Sequence, residues 1–159
     1  MADPRQLAAL SFFHGMPART LNRIAQSATE LSVPAGHVLV RQNDRATAVF
    51  FLLSGSVQIL IRVGSDDLLV GVLREEGGQL IGWSTFRPPY RYTASVRCEG
   101  PAVVLRVPAT VFNELFEQDP AFAYATLSRV AVSVANRYED ARDLLHLPPR
   151  QGPVDEGVP

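Results

Sequence analysis

Apolar positions follow a helical period at both ends of the chain and a strand-like pattern in the middle. Near the amino terminus, apolar side chains recur at steps of three and four between Leu21 and Ala28, which predicts a helix over residues 17–28. Residues 7–13 form a shorter apolar group and predict a short preceding helix and turn, with Gly15 as the break. The chain therefore begins with helical structure.

Between residues 29 and 107, short apolar runs recur about every ten residues and are separated by turn residues. This spacing predicts an all-β sandwich or roll. We expect a hairpin turn at residues 64–67 and a polar loop at residues 75–79. The predicted strands are a short one before Pro34, then residues 37–40, 49–53, 57–63, 68–73, 93–98 and 103–107.

After Pro108 the period becomes helical again, with one helix around residues 111–116 and a long helix from Pro120 to about Leu145. The long helix carries an apolar stripe typical of a coiled-coil seam. Packing of this helix on its own roll is one interpretation. Dimerisation is favoured, because a lone roll would leave a long apolar edge in water. The stripe consists of Leu127, Val130, Val134, Tyr138, Ala141 and Leu145.

Composition narrows the class of protein. The 159 residues suit one domain, and the net charge of −1 argues against nucleic-acid binding through a broad basic face. No apolar run approaches the ~20 residues of a membrane span, and the start of the chain lacks the pattern of a signal peptide. A single cysteine, Cys98, fits a reducing cytoplasm. We expect a cytoplasmic domain over residues 1–147.

The last twelve residues have a different composition. Residues 148–159 are rich in proline, glycine and acidic side chains and contain little that is apolar. Such a segment cannot offset the entropy lost on ordering. The sequence therefore predicts a disordered tail.

Four short motifs occur in order at the joints between the predicted strands, at residues 33–39, 49–57, 78–82 and 93–96. Together they resemble cyclic-nucleotide-binding domains, and most closely the sensory domains of Crp/Fnr-type regulators. The resemblance covers roughly residues 7–142. It implies a mainly β fold with flanking helices: a double-stranded, jelly-roll-like β-roll over about residues 29–107, with helices before it and a long helix within residues 108–145 after it.

The resemblance also implies a ligand site in the phosphate-binding cassette. In the family, a glycine opens a short helical turn whose free N–H groups face the cyclic phosphate. Gly82 and the turn at residues 83–86 match it. The cassette residues carried over to this chain are Gly82, Trp83, Ser84, Thr85, Arg91, Tyr92, Thr93 and Ala94.

The sequence departs from the family where the nucleotide is gripped. Relatives that bind cAMP or cGMP have a glutamate for the ribose where this chain has Trp83, and an arginine for the phosphate where it has Tyr92. Losing the partner of a buried charged group costs roughly 2–5 kcal/mol, whereas a neutral hydrogen bond from tyrosine returns about 1 kcal/mol. Crp-like sensors also place a Thr-Ser pair at the positions of Ala141 and Arg142.

Two arginines near the cassette offer alternatives. Arg91 is adjacent to Tyr92, but on a strand its side chain would point to the opposite face. A one-residue slip of the cassette would bring Arg91 into the pocket. Alternatively, Arg87 would reach in from the loop before Pro88. In either case the chain would regain a cation for a phosphate.

No other arrangement in the sequence points to chemistry. His14, His37 and His146 lie in separate segments without the spacing of metal ligands. Cys98 is interpreted as a small apolar core residue. No catalytic constellation is present, so we expect neither an enzyme nor a bound metal or cofactor, and a small molecule or nucleotide would be a ligand only.

The sequence thus predicts a non-catalytic sensor or regulatory module that forms a homodimer through its long helix. Crp/Fnr regulators carry a helix-turn-helix domain after this helix, whereas here few residues follow, so we expect no direct nucleic-acid binding, no membrane and action on a protein partner in trans, unless a further domain follows. One alternative is a genuine cyclic-nucleotide receptor using Gly82, Ser84, Arg91, Thr93 and Ala94. Another is a structural adaptor with a filled pocket.

Overall fold

The structure is a computed structural model of the chain and describes residues 2–74 and 78–146. The predicted tail lies outside the described residues, as do residues 75–77 of the predicted polar loop. Helices are α1 (Pro4–Ala9), α2 (Ala18–Ser27), α3 (Ala109–Gln118) and α4 (Pro120–Leu144), with 3-10 turns at Ser11–Phe13 and Trp83–Phe86. Strands are β1 (Thr29–Val33), β2 (Val38–Val40), β3 (Ala48–Ser54), β4 (Ser56–Val63), β5 (Asp66–Arg74), β6 (Leu80–Ile81), β7 (Ser95–Cys98) and β8 (Ala102–Pro108).

The strands form two antiparallel sheets that face each other as a roll. One sheet has the order β1-β8-β3-β6, and the other has the order β2-β7-β4-β5. Strands far apart in sequence are neighbours, as in the pairing of β1 with β8 and of β4 with β7. The predicted β-roll with preceding helices and a long final helix is confirmed.

Strands β3 and β8 are buried on both faces, which explains why β3 reads as a continuous apolar run. Val49 and Phe51 of β3 pack with the helices in one core, while Phe50 and Leu52 face the interior of the roll in a second core. Alternate side chains of a strand point to opposite faces, so one strand serves both cores. The helices and the roll are thereby joined through shared strands.

The hairpin between β4 and β5 differs from the prediction. Asp66 and Asp67 belong to β5 and pair with Val63 and Arg62, so the turn itself is shorter than residues 64–67. The Arg62 Nε donates to the Asp67 Oδ1 at 2.5 Å across the two strands. The sequence pattern predicts a turn at the two aspartates because aspartate is common in turns. The pairing of Asp67 with Arg62 across the strands cannot be seen in the local sequence.

The remaining boundaries agree with the predictions to within one or two residues, apart from α1, which begins at Pro4, three residues before the predicted apolar group. Strand β6 was not predicted, since two residues are too short to show a period. Within the described residues, no helix is long and apolar enough to cross a membrane.

Candidate functional site

A cavity of about 390 Å³ lies between the cassette, the inner side of the β4–β5–β7 sheet and the carboxyl-terminal half of α4. Its volume falls within the range of pockets that hold small organic ligands. Six of the eight cassette residues that the sequence singles out line it, and Thr85 and Arg91 do not. The described lining residues are Val40, Ile59, Ile61, Leu68, Val70, Ile81, Gly82, Trp83, Ser84, Tyr92, Thr93, Ala94, Val96, Val134, Arg137, Tyr138, Ala141 and Leu145.

Gly82 shapes the cassette as predicted. Its φ of +91° lies in the left-handed region, and the 3-10 turn Trp83–Phe86 follows it directly. A Cβ at this position would lie 3.0 Å from the Ala48 carbonyl oxygen and 3.2 Å from the Tyr92 ring. Glycine is therefore required both by the turn and by the ring packed against it.

Thr85 has a structural role within the same turn. It is buried, and its hydroxyl donates to the Gly82 carbonyl oxygen at 3.1 Å. It does not line the cavity, unlike the neighbouring Ser84. Of these two predicted cassette residues, Ser84 is therefore the one in a position to contact a ligand.

Tyr92 closes one wall of the cavity. Its ring is buried, and its hydroxyl donates to the Ala48 carbonyl oxygen at 2.8 Å and accepts from the Ala48 N–H at 3.3 Å. Burial raises the pKa of the Tyr92 phenol above its usual range, against the lowering effect of the backbone hydrogen bonds. The hydroxyl is committed to the backbone, so this residue offers a ligand mainly an aromatic surface.

Arg91 points away from the cavity, as the strand alternation predicts. Its guanidinium is exposed and donates to the Asn43 carbonyl oxygen at 2.6 Å. Arg87 is also outside, with its guanidinium carbon 5.5 Å from the centre of the Trp83 ring and an Nη1 donor to the Pro88 carbonyl oxygen at 2.9 Å. Neither of the two arginines that were alternatives for the phosphate reaches the cavity.

Trp83 forms part of the cavity wall without filling the cavity. It is partly buried and also packs against the core formed by the helices. Its indole can donate one hydrogen bond and cannot accept one from a hydroxyl. A cavity persists beside the indole, so Trp83 leaves room for a ligand.

The apolar stripe of α4 has two parts, one packed against the helical core and one lining the cavity. Val130 is buried, and Val134 packs against the helical core, while Leu127 is 44% exposed. Tyr138, Ala141 and Leu145 line the cavity together with Val134. Much of the stripe that predicts a dimer seam is therefore in contact with the chain's own roll.

Arg137 is the functional candidate that sequence reasoning missed. It lies on α4 among the stripe residues that line the cavity, and its Nη2 donates to the Leu80 carbonyl oxygen. Burial lowers the pKa of its guanidinium to about 10, while the nearby Asp140 carboxylate raises it. The sequence does carry a signal for Arg137: it is a charged residue that lies three positions after Val134, at the spacing of the apolar stripe.

Cys98 and Arg142, which the sequence analysis also considered, lie outside the cavity lining. Cys98 is buried inside the roll, and burial raises the pKa of its thiol, which favours the unreactive form. Arg142 lies 3.6 Å from Asp143 and does not line the cavity. The predicted interpretation of Cys98 as a core residue is confirmed.

Comparison with known proteins agrees with this geometry. A sequence model described as the cyclic nucleotide-binding domain matches residues 30–119, which is more than half of the chain. Over 143 residues the chain is 28% identical to the human voltage-gated inwardly rectifying potassium channel KCNH6. That match covers 89% of this chain and 14% of the channel, so the chain spans only a small part of that relative.

Solved structures give the same result for the fold. A putative cyclic nucleotide-binding protein from Geobacter metallireducens superposes with a TM-score of 0.76 at 28% identity, covering 87% of this chain and 99% of that one. The sensor domain of the transcriptional regulator DNR from Pseudomonas aeruginosa gives a TM-score of 0.70 at 18% identity, covering 85% and 90%. The resemblance inferred from four short motifs is confirmed.

Proposed function

We propose that this chain, which belongs to the family of cyclic nucleotide-binding domains, is a non-catalytic regulatory module that senses a small molecule other than cAMP or cGMP. One observation carries the proposal: the cassette and α4 line a ligand-sized cavity whose cassette side contributes no charged side chain among the described residues. Trp83 and Tyr92 stand where a nucleotide-binding relative would place a carboxylate and a guanidinium.

The cavity also favours a ligand over a purely structural role. An adaptor with a filled pocket would need side chains that occupy the space beside Trp83, whereas a partly open cavity of about 390 Å³ is left there. Concave, mostly apolar cavities of this size are typical of small-molecule sites. Ligand binding is therefore the better account of the cavity.

The alternative of a genuine cyclic-nucleotide receptor is tested by calorimetry. We expect no heat of binding for cAMP or cGMP at submillimolar concentration, because the cassette residues that line the cavity carry no cation for the phosphate. Arg91→Ala is the matched variant, since Arg91 is the cassette arginine nearest to Tyr92. Submillimolar binding by the wild-type chain would overturn the proposal, and its loss in Arg91→Ala would identify the family's usual grip.

The cavity itself is tested with a neutral apolar dye, N-phenyl-1-naphthylamine. Trp83 is the single tryptophan of the chain and lines the cavity, so energy transfer from its indole to the dye reports binding, and a cavity-filling variant tests whether the dye is at this place. Ala141→Phe would fill the cavity from α4 and abolish the transfer. Ala135→Phe, at an exposed position of the same helix, is the control. Equal transfer in both variants would show that the dye binds elsewhere.

Self-association through α4 is part of the proposal. The helix leaves several apolar side chains in water, among them Tyr124 at 77% and Val132 at 61% exposure. A second copy would cover them, and a homodimer would present two sensor modules to a partner in the cytoplasm. Light scattering at tens of micromolar should give the dimer mass, and Val132→Glu should shift it to the monomer. A monomeric wild-type chain would contradict this part.

A further inference from the structure

We propose that the cavity takes an organic anion with an apolar body, and that Arg137 on α4 pairs with the anionic group. This inference rests on the proposed function, because it specifies the class of ligand for the same cavity. The anionic group would be a carboxylate, a sulfonate or a phosphate monoester, which share charge and hydrogen-bond acceptors. The body would be aliphatic or aromatic.

The first support is the distribution of charge. Arg137 is the one charged side chain among the described residues that line the cavity. Its neighbours on the same helix face, Val134, Tyr138 and Ala141, are apolar or aromatic. A cation in such surroundings loses hydration, and an anionic ligand would restore a partner.

The second support is the hydrogen bonding of Arg137. Its guanidinium carries five N–H donors, and within the described residues its acceptor is the Leu80 carbonyl oxygen. No carboxylate in the described part of the chain lies within 4.0 Å of its nitrogens. The guanidinium is therefore anchored to β6 and keeps donors for a bidentate anion.

The third support is the character of the other walls. Aliphatic side chains from the strands form one side of the cavity, and the rings of Trp83, Tyr92 and Tyr138 form much of the opposite side. Besides Arg137 and the tyrosines, the polar residues of the described lining are Ser84 and Thr93. The Tyr92 hydroxyl is occupied by Ala48, which reduces the polar groups available to a sugar. Such walls favour an apolar body and disfavour a ribose. The aliphatic members are Val40, Ile59, Ile61, Leu68, Val70, Ile81 and Val96.

The arrangement reverses the polarity expected from the family. In relatives the cassette holds the anionic phosphate, whereas here the cation belongs to α4 and the cassette side is uncharged in the described residues. The anionic end of a ligand would therefore face α4, and the apolar body would face the roll. Binding would hold the carboxyl-terminal half of α4 through the ligand itself.

The experiment uses two dyes with the same ring skeleton. N-phenyl-1-naphthylamine is neutral, and 8-anilino-1-naphthalenesulfonate carries one sulfonate. The ratio of their dissociation constants, followed by energy transfer from Trp83, isolates the contribution of the charge. Arg137→Gln removes the charge and keeps an amide donor for the Leu80 carbonyl oxygen, Arg137→Lys keeps the charge, and Arg97→Gln removes an exposed cation outside the cavity.

We expect Arg137→Gln to weaken sulfonate binding about tenfold or more relative to the neutral dye, as for loss of a charge-assisted hydrogen bond. Arg137→Lys should keep most of the preference, and Arg97→Gln should leave the ratio unchanged. An equal ratio in wild type and Arg137→Gln would overturn this inference while leaving the cavity as a site for apolar ligands. Failure of both dyes to receive energy from Trp83 would instead overturn the proposed function. Thermal unfolding checks that each variant is folded.

Discussion

The hydroxyl of Tyr92 bonds both polar groups of the Ala48 backbone, donating to its carbonyl oxygen at 2.8 Å and accepting from its N–H at 3.3 Å. Ala48 opposes Pro108 in the β3–β8 ladder, and the Ala109 N–H donates to the Thr47 carbonyl oxygen at 2.9 Å. Ala48 and Pro108 therefore form a non-hydrogen-bonded pair, in which the N–H and C=O of Ala48 point away from β8. Tyr92 thus completes an edge of the sheet while it covers the cassette.

Tyr92→Phe should lower the free energy of unfolding by about 1–3 kcal/mol, because the Ala48 groups would be left buried without their partner. Urea unfolding followed by circular dichroism measures the change. Tyr124→Phe is the control, since its side chain is 77% exposed and its hydroxyl loss should change stability by less than about 0.5 kcal/mol. Equal effects of the two substitutions would show that the Tyr92 bonds contribute nothing.

Alkaline pH should destabilise the chain partly through Tyr92. Burial raises the pKa of this phenol in the folded state, whereas the unfolded chain ionises near the usual tyrosine pKa of about 10. The unfolded state therefore loses its proton first, and stability falls as pH rises above that value. Between about pH 9 and about pH 11, the free energy of unfolding should fall less in Tyr92→Phe than in the wild-type chain. An unchanged slope would contradict this assignment.

Gly55 joins β3 to β4 with a φ of +89°, and a Cβ there would lie 2.6 Å from the Pro101 carbonyl oxygen. Gly55→Ala should cost about 1–3 kcal/mol through the backbone conformation, and the clash should add to this. Gly64→Ala is the matched control, because Gly64 has a φ of +64° with nothing within 4 Å. Thermal unfolding should place Gly55→Ala well below Gly64→Ala, and equal midpoints would exclude the clash as a cause.

Thr126 of α4 is fully buried, and its hydroxyl has no hydrogen-bond partner among the described residues. Thr126→Val keeps the branched shape and removes the unpaired polar atom, so it should stabilise the fold by about 1 kcal/mol. Thr110→Val, at an exposed position of α3, should change stability by less than about 0.5 kcal/mol. A destabilised Thr126→Val would indicate that the hydroxyl finds a partner in solution.

The sequence predicts the roll well because its joints carry local signals. Gly55 and Gly82 both have the positive φ that their turns require, and the long runs in β3 and β4 show their strands directly. Such features depend on a few neighbouring residues. The turns and strands of the roll can therefore be predicted without knowledge of the tertiary contacts.

The site is less predictable because it depends on contacts between distant segments. Arg137 meets Leu80 across 57 positions, and nothing local distinguishes it from a solvated arginine on a helix. Strand alternation predicts that the side chains of Arg91 and Tyr92 point in opposite directions, but it does not predict the hydrogen bonds from Tyr92 to Ala48. Which helix face meets the roll is likewise a tertiary property, and the stripe alone leaves it open.

Helix α4 is held at its start by the helices and further along by the roll. Asp119 caps its start, Phe122 and Val130 are buried, and Arg129 donates to the Phe12 and His14 carbonyl oxygens. From Val134 to Leu144 the helix runs a further ~15 Å at 1.5 Å per residue, packed along β5 and bonded to β6 through Arg137. In the proposed sensor, a ligand would therefore lie between a strand and a helix that already touch, and a change in their spacing is the displacement that binding would produce.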